Sequence, residues 1–408
     1  MISRVFQLYL EELLSFFPVV ALVGPRQVGK STLVRAEPFV SNRSYVTLDA
    51  VASRSVAQSD PVSVLDADGP VTIDEIQLVP SLLREIKLRV DRDRIPGRFL
   101  ITGSADLNYA ADLSHVLAGR VGVISLPPIT EHELSETTDA PLWTRLLQEP
   151  FEPPGRSGGQ GYRWERLAIG GFPLSVLARD DRERALWMDS FRTTYLERDL
   201  RRLSDISHLS EFSRLMELTA ARSGALLNQA SMARDVGLTP QTVGRYLSVL
   251  EASLLITRLR PWYTNIGKRV VKSPKLYWRD TGLAAHLIGL GGDQIESHPS
   301  RGALFETAVV NEIAALLPLF ATGADPFHLR THDGLEIDLI IRYQGRLIPI
   351  EIKARRTAHP EDAAPIEKWI ALAGAAPGPE RIADVGAVLY AGTEVVRLSR
   401  HVWGIPFS

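Results

Sequence analysis

The chain has 408 residues, 45% hydrophobic and 23% charged, which is typical of globular domains and excludes fibrous and largely disordered classes. At ~150 residues per domain, this length predicts about two to three domains. Its 46 basic and 48 acidic residues nearly cancel, so any affinity for nucleic acid has to come from a local patch. The absence of cysteine excludes disulfides, thiolate catalysis and cysteine-based zinc sites. No apolar run approaches the ~20 residues that a membrane span needs, so we expect a cytoplasmic protein without a membrane partner.

Residues 18 to about 125 alternate between short apolar runs and helical stretches. The apolar runs at 18–24, 44–49, 69–75 and 98–104 predict strands, and the stretches at 30–37 and 81–90 predict helices. Such alternation is typical of βαβ units. We therefore predict an α/β first domain, built on a parallel sheet that helices cover.

A glycine-rich motif follows the first predicted strand. Residues 24–31 fit the pattern G-x-x-x-x-G-K-[ST] and open a predicted helix. Backbone N–H groups of such a loop bind phosphates, its lysine reaches the β- and γ-phosphates, and its serine coordinates Mg²⁺. We therefore expect ATP and Mg²⁺ here, with Ser31 as a metal ligand. The predicted ATP-binding residues are Gly24, Pro25, Arg26, Gln27, Val28, Gly29, Lys30, Ser31 and Thr32.

Two adjacent acids end the predicted strand at 71–75. Asp74 is expected to hold Mg²⁺ through water, and Glu75 is expected to polarise the attacking water as general base. The next predicted strand ends in hydroxyl groups, where Thr102 or Ser104 senses the γ-phosphate or caps the following helix. The sequence leaves that choice open.

Arg120 is the candidate for an arginine finger or sensor. It lies between the strands of the nucleotide site and the following apolar run at 121–126. A positioned arginine accelerates phosphoryl transfer by a large factor. Arg26, inside the glycine-rich loop, competes for the same role.

Residues 228–250 predict a helix, a glycine-containing turn and a second helix. Thr239 is the expected N-cap and Pro240 the first helical residue, which leaves Gln241 and Arg245 facing solvent or a DNA groove. The stretch 252–279 has seven basic residues, no acidic ones, and interleaved tryptophan and tyrosine. Such a stretch is typical of a winged helix that contacts phosphates, so DNA or RNA is a predicted partner. The alternative is a winged helix that contacts protein.

Two apolar runs around Gln344-Gly345 predict a β-hairpin. A two-residue loop pairs residues whose numbers sum to 689, which places Asp338 opposite Glu351. Facing carboxylates are destabilising unless a cation lies between them, and we expect Mg²⁺ there. Lys353 projects from the same face as Glu351 and is expected to orient water or stabilise charge. Glu306, near the start of a predicted helix, is the third expected carboxylate ligand.

The order of motifs resembles that of the largely uncharacterised bacterial and archaeal AAA+-type ATPases. The motifs are GPRQVGKST, TIDEIQ, ITGSA, GGFP, YLERDL, the helix-turn-helix, FE and EID…EIK. These ATPases carry a C-terminal domain of unknown function related to restriction-endonuclease-like nucleases. The resemblance implies nucleotide binding at Gly29, Lys30, Ser31 and Thr32, and a Walker B pair at Asp74 and Glu75. It also implies a PD-(D/E)xK-like core at Glu306, Asp338, Glu351 and Lys353, although Ile337 stands where that pattern has proline.

Four domains are predicted together: an ATPase domain at 1–147, a linker and helical region at 148–205, a winged helix at 206–290, and a small α/β restriction-endonuclease-like domain at 291–408. Three functions fit this organisation. The chain is an ATP-driven machine that cuts nucleic acid, an ATP-gated DNA- or protein-binding switch with an inactive nuclease-like domain, or an ATPase scaffold that docks proteins. A homo-oligomer is compatible with each. The intact Asp338, Glu351 and Lys353 set favours the first function, and the basic stretch favours the first two over the third.

Overall fold

The computed structural model describes residues 2–66, 68–104, 115–135, 137, 139–155, 161–195, 209–262, 273–331, 334–373 and 380–407. These residues belong to two compact units. The first comprises the described residues up to Ile129 together with 247–255, and the second comprises those of 130–196, 207–246 and 256–408. The predicted boundary after residue 147 lies inside the second unit, where Trp143 and Leu146 are buried.

The first unit is built on one parallel sheet with the strand order β2-β3-β4-β1-β5. The predicted α/β class with a parallel sheet is therefore confirmed. In chain order its elements are α1 (Phe6–Phe16), β1 (Val19–Gly24), α2 (Lys30–Val34), α3 (Phe39–Asn42), β2 (Ser44–Thr47), α4 (Val51–Ser59), α5 (Pro61–Leu65), β3 (Val71–Asp74), a 3-10 turn (Ile76–Leu78), α6 (Leu82–Arg92), β4 (Phe99–Ser104) and β5 (Val121–Ser125).

The central strands of this sheet are apolar because they are buried. Val19 of β1, Ile73 of β3 and Ile101 of β4 share a core with Leu82 and Ile86 of α6. Burial of such strands is the main stabilising term of a parallel sheet. Because all five strands run the same way, their carboxyl ends meet at one edge, and β4 lies between β1 and β3 at that edge.

The second unit joins a helical part to a seven-stranded mixed sheet with the order β13-β14-β12-β10-β9-β8, in which β11 also pairs with β10. The C-terminal region is thus α/β, and its relation to restriction endonucleases stays a prediction. The elements are α7 (Glu131–Leu134), a 3-10 helix (Leu142–Leu147), α8 (Arg166–Ile169), α9 (Pro173–Val176), α10 (Asp181–Thr194), α11 (Leu209–Ala221), α12 (Gln229–Val236), α13 (Pro240–Ala252, whose residues from 247 on belong to the first unit), β6 (Ile256–Leu259), β7 (Lys275–Trp278), α14 (Thr281–Leu287), a 3-10 turn (Ile295–Ser297), α15 (Arg301–Phe320), β8 (Asp325–Arg330), β9 (Glu336–Tyr343), β10 (Arg346–Lys353), a 3-10 turn (Pro360–Ala363), α16 (Ala364–Ala373), β11 (Arg381–Ile382), β12 (Gly386–Tyr390), β13 (Val396–Arg397) and β14 (Val402–Pro406).

Helix α15 is long and apolar enough to cross a membrane by length and composition, and it is the one described helix that is. Half of its most apolar window is buried inside the unit, where Phe305, Val309 and Ile313 have almost no exposed surface. The core helix of a globular protein has the same features. Its apolar character follows from this burial.

The GGFP motif has a structural role in the second unit. Gly170 has a positive φ of 66°, and a Cβ there would lie 2.5 Å from Asp280 Oδ1. Gly171 donates its N–H to Asp280 Oδ2 at 2.7 Å, while Asp280 Oδ1 caps α14 by accepting from Leu283 N at 2.7 Å. Burial raises the pKa of Asp280 to about 6. The motif therefore lets the chain approach a buried carboxylate closely.

Candidate nucleotide site and second carboxylate cluster

Both glycines of the phosphate-loop motif are required by the backbone. Gly24 ends β1, and a Cβ there would lie 2.6 Å from the carbonyl oxygen of Leu126. Gly29 precedes α2 with a φ of 98°, in the left-handed region that favours glycine. The loop therefore has the strand–loop–helix context that its motif predicts.

Lys30 is buried and folded back onto the loop. Its Nζ donates to the carbonyl oxygens of Gly24 at 2.9 Å and Pro25 at 2.8 Å. Burial lowers the pKa of Lys30 to about 8, although Glu75 and Asp74 favour the charged form. Two neutral carbonyls thus hold a buried cation, and a phosphate oxygen would be a stronger acceptor for it.

Three hydroxyl groups surround the Asp74 carboxylate at the end of β3. Ser31 Oγ donates to Asp74 Oδ1 at 3.2 Å, Thr102 Oγ1 bonds the same oxygen, and Tyr45 donates its O–H to Oδ2 at 2.7 Å. The structure thus brings together the predicted metal ligands Ser31 and Asp74. It places Thr102 beside them, whereas the Ser104 side chain lies outside what the structure describes. Serine and carboxylate oxygens beside a phosphate loop fit Mg²⁺.

Glu75 has a constrained backbone and a held side chain. Its φ of 60° and ψ of 44° are left-handed, which is uncommon for a residue with a Cβ. Its N–H donates to Thr102 Oγ1 at 3.2 Å, and Gln77 Nε2 donates to its Oε2. The left-handed turn separates the two side chains. The carboxylate of Glu75 contacts Gln77, whereas that of Asp74 contacts the three hydroxyl groups.

The other loop residues differ in exposure. Val28 is buried and accepts a hydrogen bond from Arg4 Nη1 through its carbonyl at 3.1 Å. Gln27 and Thr32 are exposed, and Arg26 is half-buried. The positive charge of Arg26 lowers the pKa of Lys30, so this arginine lies close enough to affect a bound anion.

Arg120 lies at the wrong edge of the sheet for a sensor in its own nucleotide site. It directly precedes β5, whose Val121 pairs with Val19 at the start of β1, whereas the phosphate loop follows Gly24 at the other end. At ~3.3 Å per residue these ends are about 17 Å apart. Arg120 forms an ion pair with Asp91 instead. A residue that directly precedes a parallel strand lies at the amino ends of the strands, whereas a loop that follows one lies at the carboxyl ends, and the expectation did not take this into account.

Helices α12 and α13 form the predicted helix-turn-helix. Gly237 has a left-handed backbone after α12, and Thr239 Oγ1 accepts the N–H of Thr242 at 3.1 Å before the helix that begins at Pro240. Gln241 and Arg245 are exposed on α13. The strands β6 and β7 then pair antiparallel. This arrangement leaves polar side chains of the second helix available to a partner.

Much of the basic stretch 252–279 has a different place from the expected wing. Lys275, Tyr277 and Trp278 are buried in β7, and burial lowers the pKa of Arg279. The stretch's other predicted contacts, Tyr263, Lys268, Arg269 and Lys272, lie outside the described residues. Arg258 is half-buried and Arg260 is exposed. The described end of the stretch is thus part of the core, because all four residues of β7 are buried whatever their charge.

The C-terminal hairpin has the predicted register. Gln344 and Gly345 both have positive φ values and form the two-residue loop, and Arg346 pairs with Tyr343 and Ile350 with Leu339. One further step in this register places Asp338 opposite Glu351. Here the backbone pairing ends, and Asp338 Oδ2 accepts the N–H of Ile352 at 3.0 Å.

A lysine occupies the position where the sequence predicts a metal ion. Lys275 Nζ lies 2.9 Å from Glu306 Oε1, 3.0 Å from Glu336 Oε1 and 3.2 Å from Asp338 Oδ1. Tyr277 donates its O–H to Glu306 Oε1 at 2.7 Å. Within the described residues no group of three or more histidines, aspartates or glutamates could hold a metal ion. Two of the predicted ligands, Glu306 and Asp338, therefore converge on an ammonium group, and as arranged they do not fit a metal.

Glu351 and Lys353 form a second ion pair beside this cluster. Lys353 Nζ donates to Glu351 Oε1 at 2.6 Å, whereas the buried Glu351 Oε2 has no hydrogen-bond partner among the described residues. Burial and the nearby Asp338 charge raise the pKa of Glu351 to about 8. The sequence did not predict Lys275, Tyr277 and Glu336 as members of this carboxylate cluster. Glu336 alone carries a signal, since it lies two residues before Asp338 and so shares its strand face.

Family models match three regions of this chain. Residues 17–135 match an AAA domain, residues 162–294 match a domain of unknown function (DUF8612), and residues 301–408 match another domain of unknown function (DUF4143). The AAA match and the nucleotide-site geometry agree that the first unit is a P-loop ATPase domain.

Relatives and solved structures were also found. The uncharacterized proteins Rv2008c of Mycobacterium tuberculosis and Mb2031c of Mycobacterium bovis are each 35% identical over 344 residues, which cover 83% of this chain and 71% of theirs. The Walker-type ATPase PABY2304 of Pyrococcus abyssi has a TM-score of 0.42 at 17% identity, covering 70% of this chain and 96% of its own. RuvB of Thermotoga maritima has a TM-score of 0.31 at 17% identity, covering 62% and 88%. At 35% identity over most of both sequences, this chain belongs to the same protein family as Rv2008c and Mb2031c.

Proposed function

We propose that the first unit binds and hydrolyses ATP and that the second unit binds nucleic acid through its helix-turn-helix. The observation that carries the first part is the convergence of Lys30, Ser31, Asp74 and Thr102 at one edge of the parallel sheet. The loop N–H groups and Lys30 bind the phosphates. Mg²⁺ would be held by Ser31 and, through water, by Asp74, and it would neutralise charge on the phosphates.

Glu75 is the proposed general base for the attacking water. Gln77 holds its side chain and Thr102 Oγ1 accepts its N–H, so its position is set by two neighbours. Glu75→Gln should keep ATP binding and lose steady-state turnover, because the amide keeps the shape and cannot accept the proton. Glu85→Gln, on α6, is the matched control. Equal turnover in Glu75→Gln and wild type would contradict the proposed role.

Nucleic-acid binding is proposed from exposed polar residues on α13. Changing Gln241 and Arg245 should alter sequence preference, whereas reversing Arg258, Lys268 and Lys272 to glutamate should weaken binding to every sequence. Affinity for a labelled duplex should fall steeply between about 50 and 200 mM salt. A flat salt dependence would contradict phosphate contact as the main term, and binding to protein alone would favour the docking alternative.

Metal-dependent cleavage at Asp338, Glu351 and Lys353 is the second candidate function. The buried and unpartnered Glu351 Oε2 favours it, and the ammonium of Lys275 among the carboxylates favours a unit that binds without cutting. Incubating the protein with labelled DNA and RNA, with and without ATP and Mg²⁺, separates the two. Cleavage that Asp338→Asn abolishes would establish the nuclease.

Arg120 keeps one proposed role, as a finger offered to a second copy of the chain. Such a role requires a homo-oligomer, which sedimentation with and without ATP would reveal. If Arg120→Ala has wild-type turnover at every protein concentration, this role is wrong.

A further inference from the structure

We infer that Lys275 is a resident counter-ion that takes the place of a divalent cation in the carboxylate cluster of Glu306, Glu336 and Asp338. This inference deepens the proposed function by naming what keeps the second unit a binding unit, and it rests on that part of the proposal. Lys275 lies in β7, within the basic stretch 252–279 from which the sequence predicts a nucleic-acid wing.

Carboxylate oxygens surround the ammonium, whose Nζ donates hydrogen bonds to Glu306 and Asp338 and forms an ion pair with Glu336. A lysine has three N–H donors and no acceptor, and Lys275 Nζ has three carboxylate oxygens at 2.9, 3.0 and 3.2 Å. Its side chain is only 4% exposed, so water does not compete for these contacts.

The spacing of the carboxylates suits nitrogen better than a metal. Oxygen ligands lie 2.0–2.1 Å from Mg²⁺ and 2.3–2.6 Å from Ca²⁺. The observed distances to Lys275 Nζ are at least 2.9 Å, so the cluster would have to contract around any divalent ion. A metal would also have to share this space with the lysine, because both require the same oxygens.

Strand β7 is anchored, so Lys275 cannot leave with its strand. Trp278 N donates to Ser223 Oγ at 3.1 Å and Trp278 Nε1 to Thr219 Oγ1 at 3.2 Å. Asn311 Nδ2 donates to the Trp278 carbonyl at 2.7 Å. Tyr277, between these residues and Lys275, is bonded to Glu306. These contacts hold the ammonium over the carboxylates.

The test compares Mn²⁺ binding by the full chain and its variants without nucleotide, by electron paramagnetic resonance and by thermal unfolding. Wild type should bind Mn²⁺ that depends on Asp338 weakly at most. Lys275→Met should bind one Mn²⁺ at least about tenfold more tightly, with a raised unfolding midpoint, because the methionine keeps the stem and leaves the acids uncompensated. Adding Asp338→Asn should remove the gain. Lys368→Met, at an exposed lysine on α16, should behave as wild type.

Two results would overturn the inference: an Asp338-dependent Mn²⁺ in wild type as tight as in Lys275→Met, or a folded Lys275→Met without a gain. If Lys275→Met does not fold, Lys275→Gln keeps a polar side chain in place and serves the same comparison. Assays of ATP hydrolysis and duplex binding run alongside. If wild type neither hydrolyses ATP nor binds a duplex while Lys275→Met still gains Mn²⁺ binding, the proposed function is contradicted and the role of Lys275 is supported.

Discussion

The nucleotide site and the carboxylate cluster treat buried charge in opposite ways. In the first, Lys30 is held by carbonyl oxygens and Asp74 by hydroxyl groups, all neutral partners. In the second, three carboxylates contact the ammonium of Lys275 directly. Neutral partners leave charge for a ligand to balance, whereas the ammonium of Lys275 already offsets part of the charge of its three carboxylates. The first arrangement prepares a site for a charged ligand, and the second closes one.

Removing the cation of the nucleotide site should have the largest effect. We expect Lys30→Ala to lose about 3 kcal/mol of ATP binding, or roughly 100-fold in affinity, because it removes the buried ammonium of the loop and leaves the half-buried Arg26 as the remaining charge of the motif. Isothermal titration with ATP and Mg²⁺ measures it. Lys87→Ala, on the surface of α6, is the control, and near-wild-type affinity in Lys30→Ala would show that the site is not built as described.

The pH dependence of ATP binding tests whether the charge of Lys30 binds the phosphates. The pKa of Lys30 is lowered to about 8 by burial, so the free protein loses this proton as the pH rises through 8. About a tenth of the lysine remains charged at pH 9. ATP affinity should therefore be about tenfold weaker at pH 9 than at pH 7. Binding by Lys30→Arg should be flat over this range, and a flat wild-type profile would contradict the neutral cradle.

Removing one neutral donor from Asp74 should have a smaller effect. In Tyr45→Phe the carboxylate loses the bond to Oδ2 and keeps those from Ser31 and Thr102. The Mg²⁺ concentration for half-maximal hydrolysis should rise several-fold, less than the ~10–100-fold typical of losing a metal's outer partner. Tyr9→Phe, in the same unit, is the control. An unchanged Mg²⁺ requirement would mean that Tyr45 does not orient Asp74.

Glu312 tests buried charge without a counter-ion. Its carboxylate accepts the N–H groups of Glu131 at 2.8 Å and His132 at 2.9 Å, and burial raises its pKa to about 8. A carboxyl whose pKa is raised on folding stabilises the fold at low pH and loses that contribution as pH rises through the folded pKa. The unfolding midpoint should fall by a few degrees between pH 6 and pH 9. The unfolding midpoint of Glu312→Gln should not fall over this pH range, whereas that of the control Glu361→Gln, at an exposed position, should. If the midpoint of Glu312→Gln still falls, the pH dependence does not come from Glu312.

The sequence predicted the phosphate loop and the hairpin register, because each depends on residues that are close together in the chain. The spacing of Gly24, Gly29 and Lys30 is set within one strand, loop and helix. The hairpin register follows from Gln344-Gly345, since a two-residue loop leaves one pairing. Each of these predictions needs only the geometry of a few consecutive residues.

Contacts distant in sequence were predicted only where motifs name both partners, as for Ser31 and Asp74. Lys275 reaches Asp338 across 63 positions, and Tyr45 reaches Asp74 from a neighbouring strand. Strand order decides such meetings, and composition does not determine it. Arg120 is a different case: because it directly precedes β5, the parallel pairing of β5 with β1 places it at the amino ends of the strands.

The origin of Lys275 in β7 bears on how the protein can be divided. A fragment beginning at residue 291, the predicted border of the last domain, would keep Glu306, Glu336, Asp338 and Glu351 and lose the lysine and Tyr277. Its acidic pocket would then be missing its main cation, and a metal-binding or cleavage assay on it would report on a site that the intact chain does not contain. Dissection and chimeras therefore have to carry β7 with the C-terminal sheet.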